Sequence, residues 1–242
     1  MVKKISTNSL NGTRDFFPSI MKIREYVFNI WNNASISYNF SKFEAPIVEP
    51  VELYTRKGSD DIVNEMYCFN SEKRLVCLRP EMTPSLVRMI MTLRVTQPLK
   101  WYSIAQCWRF ETVTKYRKRE HYQLNCDIIG GETIRSDLEI LSLVVDIFKR
   151  FGLTPEDIVI RISHKMIVQN FLTKIMGINN EDDINKIFNI IDKIEKIRFE
   201  DIKCMLSKVD DLNEDYEKID KLIQFIRIDN FDDLNQILPN DP

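Results

Sequence analysis

The chain has 242 residues and a mass of 28.7 kDa, with 44% hydrophobic and 29% charged residues, a balance typical of a globular protein with a sizeable core. It contains no apolar run of the roughly 20 residues that a membrane span requires, and its start lacks the apolar run of a secretion signal, so we expect a soluble, cytoplasmic protein that does not enter a membrane. The formal net charge of −2 excludes a surface coated with positive charge for nonspecific binding.

Charge is distributed unevenly along the chain. Residues 94–120 contain seven Lys or Arg against two Glu, a local net charge of +5, whereas residues 178–242 contain 17 acidic and 9 basic residues, a net of −8. A cluster of positive charge in a nearly neutral chain predicts a polyanionic ligand bound at one place. The acidic tail predicts a separate unit, and its charge argues against direct binding of nucleic-acid phosphates by that unit.

The cysteines and histidines indicate neither a disulfide framework nor a metal site. There are five cysteines without a Cys-x-x-Cys pair, and only two histidines. An odd number of cysteines without ligand spacing is typical of reduced thiols. We therefore expect free thiols, most of them in the core, and no bound metal.

The first third of the chain predicts a helix followed by extended segments. Residues 19–38 follow a proline and place apolar side chains at helical spacing, which is typical of an amphipathic helix. Residues 39–50 contain Pro46 and Pro50, and proline has no N–H for a sheet ladder. That segment is therefore predicted to be an edge strand or a loop.

A strand and a second helix are predicted next. Residues 74–78 have the composition of a strand. Thr83 offers an N-cap oxygen and Pro84 suits the first helical position, so we predict a helix that starts there and runs to about residue 93. This places Glu81 and Thr83 at the connection between the end of a strand and the N-terminus of a helix.

Two aromatic-rich segments, residues 99–111 and 120–130, predict an antiparallel hairpin with a charged loop between its strands. Because side chains alternate between the two faces of a strand, each strand presents one chemically distinct face. On the first strand that face holds Ser103, Ala105, Cys107, Arg109 and Glu111. On the second strand it holds Gln123, Asn125 and Asp127. A polar sheet face beside an arginine-rich loop predicts a ligand-binding surface.

The remainder of the chain is predicted to be mainly helical. Ser136 and Glu139 have capping-box spacing, which predicts the start of an amphipathic helix that Gly152 terminates. Residues 157–162 resemble a further strand. Beyond residue 163 apolar residues repeat at intervals of three and four, with breaks at residues 210–211 and 229–230.

The arginines of the hairpin are candidate phosphate ligands. A guanidinium presents a planar fork of donors that can clasp two phosphate oxygens, so Arg109 is suited to stabilise a phosphorus centre under attack. Arg117 and Arg119, on the loop, are suited to reach terminal phosphates. The alternative is that Arg109 pairs only with Glu111 or another carboxylate and that the loop is a solvated hairpin tip.

Acidic and neutral side chains near the hairpin are candidate ligands for a small cationic molecule. Glu81 and Asp127, with Thr83 and Gln123 as neutral partners, have the chemistry to receive an ammonium group and an uncharged N–H donor such as imidazole. In the alternative interpretation Glu81 only stabilises its helix N-terminus and Asp127 only ends a strand. The chain contains neither a glycine-rich phosphate loop nor a Ser-His-Asp order.

Three blocks of sequence together resemble histidyl-tRNA synthetases, a family of class II aminoacyl-tRNA synthetases. They are Asn-Gly-Thr-Arg-Asp-Phe-Phe-Pro from position 11, Leu-Arg-Pro-Glu-Met-Thr-Pro-Ser from position 78, and the segment from Trp108 to Gly130. The resemblance implies an α+β fold, with an antiparallel sheet flanked by helices. It also implies a catalytic core over residues 1–163 and a C-terminal helical insertion over residues 164–242.

The resemblance implies a role for each candidate residue. Arg109 is expected to contact the ATP α-phosphate and the substrate carboxylate, and Glu111 the adenine amino group. Arg117 and Arg119 are expected at the outer phosphates, and His121 stands where the family stacks an aromatic ring, usually phenylalanine, on the adenine. The histidine pocket would be lined by Glu81, Thr83, Gln123 and Asp127. The proline that the family has at its dimer interface corresponds to Pro46.

The implied activity is formation of histidyl-adenylate from L-histidine and ATP with Mg²⁺, followed by transfer to tRNA(His), by a homodimer. The family's third motif and its anticodon-binding domain do not occur before Pro242, so we expect a chain that is cut off and inactive alone. Cytosolic and organellar members share these motifs. Two alternatives are a regulatory subunit of histidine biosynthesis with a synthetase-like fold, and a freestanding interaction module; both lack a need for ATP ligands.

Overall fold

The computed structural model of the protein describes residues 6–56, 63–93, 98–194 and 197–237. The chain divides into two compact units, Met1–Val159 and Ile160–Pro242. Among the described residues no helix is both long enough and apolar enough to cross a membrane.

The first unit contains two three-stranded sheets. The larger sheet has the strand order β1-β5-β6, in which β1 runs parallel to β5 and β6 runs antiparallel to it; the smaller sheet is antiparallel with the order β2-β4-β3. The strands are β1 (Ser41–Lys42), β2 (Val48–Pro50), β3 (Cys68–Ser71), β4 (Arg74–Leu78), β5 (Leu99–Trp108) and β6 (Glu120–Ile129). The helices are α1 (Pro18–Ser37), α2 (Glu52–Thr55), α3 (Thr83–Met91) and α4 (Thr133–Arg150).

One face of the β5–β6 hairpin is covered by the two long helices of this unit. Tyr102 of β5 packs in a buried cluster with Ala34 of α1 and with Leu143 and Ile147 of α4, and apolar side chains of β6 such as Leu124 pack against it. The opposite face of β5 packs against α3 through small side chains. An antiparallel sheet flanked by helices confirms the predicted α+β class.

Several predicted boundaries agree with the structure. The first helix begins at Pro18, one residue before its predicted start, and β4 covers the predicted residues 74–78. Pro46 and Pro50 lie in the loop after β1 and at the end of an edge strand, as expected for residues without an N–H. Gly152 adopts a φ of +81° and its N–H donates to the carbonyl of Lys149, so it ends α4 as predicted.

Three local predictions are wrong. Thr83 is the first residue of α3 rather than its cap, and no side chain caps that helix. Ser136 lies inside α4, where its hydroxyl donates to the carbonyl of Glu132, because the glycine turn at residues 130–131 lets the helix start earlier. Residues 157–162 form no strand, since no strand pairs with them in the part of the chain that the structure describes.

The second unit is helical, as predicted for residues beyond 163. Its elements are α5 (Lys165–Asn170), a π-helical turn (Phe171–Ile175), α6 (Glu181–Ile191), α7 (Phe199–Leu206), a 3-10 turn (Asp210–Leu212), α8 (Tyr216–Ile226) and α9 (Phe231–Ile237). Its apolar core is continuous, and the rings of Phe171 and Phe225 stack within it at 3.7 Å between centroids. The predicted breaks at residues 210–211 and 229–230 separate helices: the first lies in the 3-10 turn between α7 and α8, and at the second Asn230 Oδ1 accepts from the N–H of Asp233 at the start of α9.

Candidate active site

The polar face of the β5–β6 hairpin is formed by the register of the two strands. Ala105 lies opposite Gln123 and Cys107 opposite His121, and residues directly opposite each other project to the same side. Ala105 and Cys107 are fully buried, whereas Gln123 and His121 on β6 stay half-buried. The predicted division of the two faces is confirmed as far as Cys107, whereas Arg109 and Glu111, which were predicted on the same strand, lie beyond the end of β5 at Trp108.

Two polar groups on this face are buried without a partner. Among the described residues, Ser103 Oγ and Asp127 Oδ2 are inaccessible to solvent and have no hydrogen-bond partner. Burial also raises the pKa of Asp127. Because an unsatisfied buried polar group costs about 1–3 kcal/mol, such groups are rare in native proteins, and a water molecule or a ligand usually completes them. A third polar group of the row, Gln123, is already engaged and donates from Nε2 to Asn125 Oδ1 at 2.7 Å.

The surroundings of His121 disfavour its charged form. Burial is the main cause that lowers its pKa, and the positive charge of Arg109 lowers it further. A neutral imidazole is a planar ring without a positive charge, so it does not repel a cationic neighbour. His121 therefore has the electronic character needed to stack on a nucleobase.

Three charged side chains converge where the hairpin opens into its loop. Arg109 follows the last residue of β5, and its Nε donates to the carbonyl of Pro80 at 3.1 Å. Its Nη1 lies 4.0 Å from Glu111 Oε1, and on the other side Arg117 Nε lies 3.2 Å from Glu111 Oε2. The contact between Arg109 and Glu111 is therefore loose, and 26% of the Arg109 side chain is exposed. Donors of the Arg109 guanidinium remain available to a ligand.

The side chain of Arg119 makes more contacts with the protein than that of Arg117. Its Nε donates to the carbonyl of Glu111 at 3.3 Å, and its guanidinium carbon lies 3.8 Å from the centre of the Phe110 ring. Arg117, by contrast, has a side chain that is 68% exposed. Arg117 is therefore the loop arginine that is freer to meet a ligand.

Glu81 and Thr83 reach the same side of β5 through α3. Met82 and Leu86 pack against Ala105 and Cys107, which brings the start of α3 over the polar face. Burial raises the pKa of Cys107 to about 11. Arg109 Nε donates to the carbonyl of Pro80, the residue before Glu81, so Glu81 lies near the end of β5, while Thr83 is exposed at the helix start.

Comparison with known protein families identifies the relatives of this chain. The family model described as histidyl-tRNA synthetase matches residues 12–227. The chain belongs to the histidyl-tRNA synthetase family. It is 40% identical over 239 residues to the chloroplastic/mitochondrial histidine–tRNA ligase of Arabidopsis thaliana, and this match covers 98% of the chain and 48% of the relative.

Other histidyl-tRNA synthetases agree with this assignment. The histidine–tRNA ligase of Leptospira biflexa is 34% identical over 239 residues, covering 97% of the chain and 54% of the relative. The crystal structure of histidyl-tRNA synthetase from Nostoc sp. PCC 7120 superposes with a TM-score of 0.79 at 26% identity, covering 96% of this chain and 51% of that one. The chain spans about half the length of the curated relatives it matches.

Sequence reasoning missed a buried arginine that supports the candidate site. Arg79 is 2% exposed, its Nη1 lies 2.6 Å from Glu44 Oε1, and it also donates to the carbonyls of Ala45 and Gln106. It therefore ties the end of β4 to β5 and to the segment between β1 and β2. The only signal in the sequence was its place in the block Leu-Arg-Pro-Glu.

A buried polar network supports α3 in the same way and was also missed. Glu49 is 4% exposed and accepts hydrogen bonds from Arg88 Nη2 at 2.6 Å and from Ser85 Oγ at 3.0 Å. Tyr54 lies 3.3 Å from the same serine hydroxyl and donates to the carbonyl of Glu81 at 3.4 Å. The backbone of Glu81 is thus anchored from the protein side, and no local sequence pattern predicts these pairings.

Proposed function

We propose that the protein activates L-histidine with ATP and transfers the activated histidine to tRNA(His). The observation that carries this proposal is the convergence of Arg109, Glu111 and Arg117 at one end of the polar sheet face that also holds the unpartnered Asp127. An adenylate-forming reaction needs a site for phosphates and adenine next to a site for a cationic amino acid. The curated relatives named above are histidine–tRNA ligases, which supports this reaction for the protein.

In the proposed first step a carboxylate oxygen of histidine attacks the α-phosphorus of ATP. The bond from that phosphorus to the bridging oxygen breaks and pyrophosphate leaves, with ATP entering as its Mg²⁺ complex. Arg109 holds the α-phosphate and the attacking carboxylate, and Arg117 and Arg119 bind the outer phosphates. Positioning and charge stabilisation supply the catalysis, so the protein needs no nucleophile of its own.

Adenine and histidine have separate partners in this proposal. Glu111 accepts from the adenine amino group, and the neutral ring of His121 stacks on the base. In the histidine pocket Glu81 and Asp127 accept hydrogen bonds from the charged or N–H groups of the substrate, and Gln123 and Thr83 form hydrogen bonds with it as neutral partners. In the second step a ribose hydroxyl at the end of tRNA(His) attacks the carbonyl carbon of the adenylate, and AMP leaves.

The proposed alternative, a synthetase-like regulatory subunit of histidine biosynthesis, is less well supported. Such a subunit senses histidine and has no use for ligands of adenine and outer phosphates. Glu111 and Arg117, paired at 3.2 Å and facing the loop, support ATP binding instead. The match to the family model and the ligase names of the relatives also support the ligase over the regulatory subunit.

The full-length protein is expected to catalyse histidine-dependent exchange of pyrophosphate into ATP. The measurement follows labelled pyrophosphate entering ATP, with and without histidine. Phenylalanine in place of histidine is expected to give no exchange, because buried partners of the imidazole nitrogens would be left unpaired. Histidine binding in calorimetry without any exchange above background would instead favour the regulatory alternative.

We also propose a homodimer with Pro46 at its interface. Pro46 lies in an exposed apolar segment with Ile47 and Val48, which are 45% and 44% exposed. Ile47→Asp is expected to weaken the dimer about tenfold or more in sedimentation equilibrium, because it places a charge in an apolar contact. Tyr216→Asp, at an exposed site in the second unit, is the control. Equal dimer affinities for both variants would place the interface elsewhere.

Two further assignments complete the proposal. We assign residues 1–163 to the catalytic core and residues 164–242 to a helical insertion, which is supported by the separate core of the second unit. We propose the cytoplasm as the compartment, and the name of the Arabidopsis relative makes an organelle the alternative.

A further inference from the structure

The N-terminal turn, residues 10–14, has a defined structure of its own. The N–H and the hydroxyl of Thr13 both donate to the carbonyl of Leu10, at 2.9 and 2.8 Å. Gly12, at the tip of the turn, has a φ of +86°. This turn belongs to the first of the three sequence blocks, and none of the reaction steps proposed above uses it.

The turn is anchored to the loop end of the β5–β6 hairpin by an ion pair between Arg14, whose side chain is 41% exposed, and the buried carboxylate of Glu120. Arg14 donates to Glu120 Oε1 from its backbone N at 3.1 Å and from Nε at 3.3 Å. Its Nη2 donates to the carbonyl of the same residue, and Gln106 Nε2 donates to Glu120 Oε2 at 2.8 Å. The Glu120 side chain is 4% exposed, so its charge depends on these donors.

Gly12 packs directly against Arg119. The N–H of Arg119 donates to the carbonyl of Gly12 at 2.8 Å, and its Nη1 donates to that of Asn11 at 3.4 Å. A Cβ placed on Gly12 would lie 2.7 Å from Arg119 Cγ, 2.8 Å from Arg119 Cδ and 2.9 Å from Val113 Cγ2. The arginine stem and the loop therefore fit the turn only while residue 12 has no side chain.

Arg119 in turn holds the end of β5. Its carbonyl accepts from the N–H of Arg109 at 2.9 Å, and its Nε donates to the carbonyl of Glu111 at 3.3 Å. Its guanidinium lies over the ring of Phe110. The main chain at Arg109 and at Glu111 is thus held by one residue, through the carbonyl and the side chain of Arg119, which the N-terminal turn contacts.

We propose that the N-terminal turn is a positioning element for ATP binding. Gly12 and Arg14 act through Arg119 and Glu120, and they set the main-chain position of Arg109 and Glu111 without touching a substrate. This inference rests on the proposed synthetase function, because it assigns the turn a part in the site of that reaction.

The test compares Gly12→Ala with Gly152→Ala in the full-length protein. Gly152 has a similar φ of +81°, and nothing lies within 4 Å of a Cβ placed there, so this control carries the backbone strain without the contact. Gly12→Ala is expected to lower kcat/KM for ATP in pyrophosphate exchange by about 10²-fold, the effect of a misplacement near 1 Å. The KM for histidine is expected to change less than the KM for ATP, because Gln123 and Asp127 of the proposed histidine pocket lie on β6, away from the turn.

A second variant separates strain from contact. Asparagine adopts positive φ more readily than alanine but still carries a Cβ, so Gly12→Asn is expected to share the defect of Gly12→Ala. If Gly12→Ala fails to fold, Glu120→Gln takes its place, and a raised KM for ATP with a smaller change in the KM for histidine is expected.

The outcomes are distinguishable from failure of the synthetase proposal. If the wild type shows no histidine-dependent exchange, the proposed function fails, and the positioning role fails with it. If the wild type is active but Gly12→Ala matches Gly152→Ala, or Gly12→Asn regains wild-type kinetics, only the positioning role is overturned. An unchanged KM for ATP in Glu120→Gln overturns it as well.

Discussion

Arg109→Ala in the full-length protein is expected to lower the rate of histidine-dependent pyrophosphate exchange about 10³-fold, equivalent to about 4 kcal/mol of transition-state stabilisation. Arg109 is the only candidate that meets both the α-phosphate and the attacking carboxylate in the proposed reaction. Its loose contact with Glu111 at 4.0 Å leaves donors available for that task. Arg109→Lys keeps the charge without the planar fork, so we expect it to recover only part of the rate.

The matched control is Arg135→Ala. Arg135 is 84% exposed and pairs with Glu132 on the surface of α4, so its loss is expected to change neither the exchange rate nor the free energy of unfolding appreciably. Thermal unfolding of both variants checks that the fold persists, because Arg109 also donates to the carbonyl of Pro80. An exchange rate for Arg109→Ala within about threefold of wild type would assign Arg109 a purely structural role.

Asp127→Asn is expected to lower kcat/KM for histidine about 10²-fold, because it removes a buried charge that a cationic or N–H group of the substrate is proposed to meet. KM for ATP is expected to change little, since Asp127 lies opposite Trp101, far along the hairpin from Arg109. Asp137→Asn, at an exposed position on α4, is the control. Equal loss of affinity for ATP and histidine would point to a collapsed hairpin instead.

The same substitution is expected to stabilise the free protein. Burial raises the pKa of Asp127, so ionising this carboxyl is more costly in the folded than in the unfolded state. Below the unfolded pKa of about 4 both states hold the proton, and the wild type and Asp127→Asn differ little. As the pH rises through the higher folded pKa the wild type loses stability relative to Asp127→Asn. Thermal unfolding between pH 4 and neutrality measures this gap, and a gap of opposite sign would show that the carboxylate is stabilised by the protein.

The hairpin illustrates what an isolated sequence predicts well. The register of β5 and β6 depends on alternation and on chain proximity, since the strands are consecutive and joined by one loop. The placement of Gln123, Asn125 and Asp127 on one face followed from a period of two residues. Gly152 was predictable for a similar reason, because a left-handed φ at a helix end strongly favours glycine.

The wrong predictions share one cause. Thr83, Ser136 and residues 157–162 each matched a local motif, but the ends of elements depend on what lies next to them. The glycine turn after β6 starts α4 before Ser136, and a strand needs a neighbour to pair with. Local propensity is a weak guide wherever tertiary context competes with it.

By itself, the sequence determined the family, the hairpin and the residue types that face its polar side, because these depend on order and short-range periodicity. Only the tertiary structure decided which carboxylates are already paired and which are not. Glu120 meets Arg14 across 106 residues, and Glu49 meets Arg88 across 39, whereas one oxygen of Asp127 is buried without a partner among the described residues. Which buried charges pair depends on how the chain folds over long separations in sequence. A carboxyl oxygen without a protein partner, such as that of Asp127, can therefore be identified only from the tertiary structure.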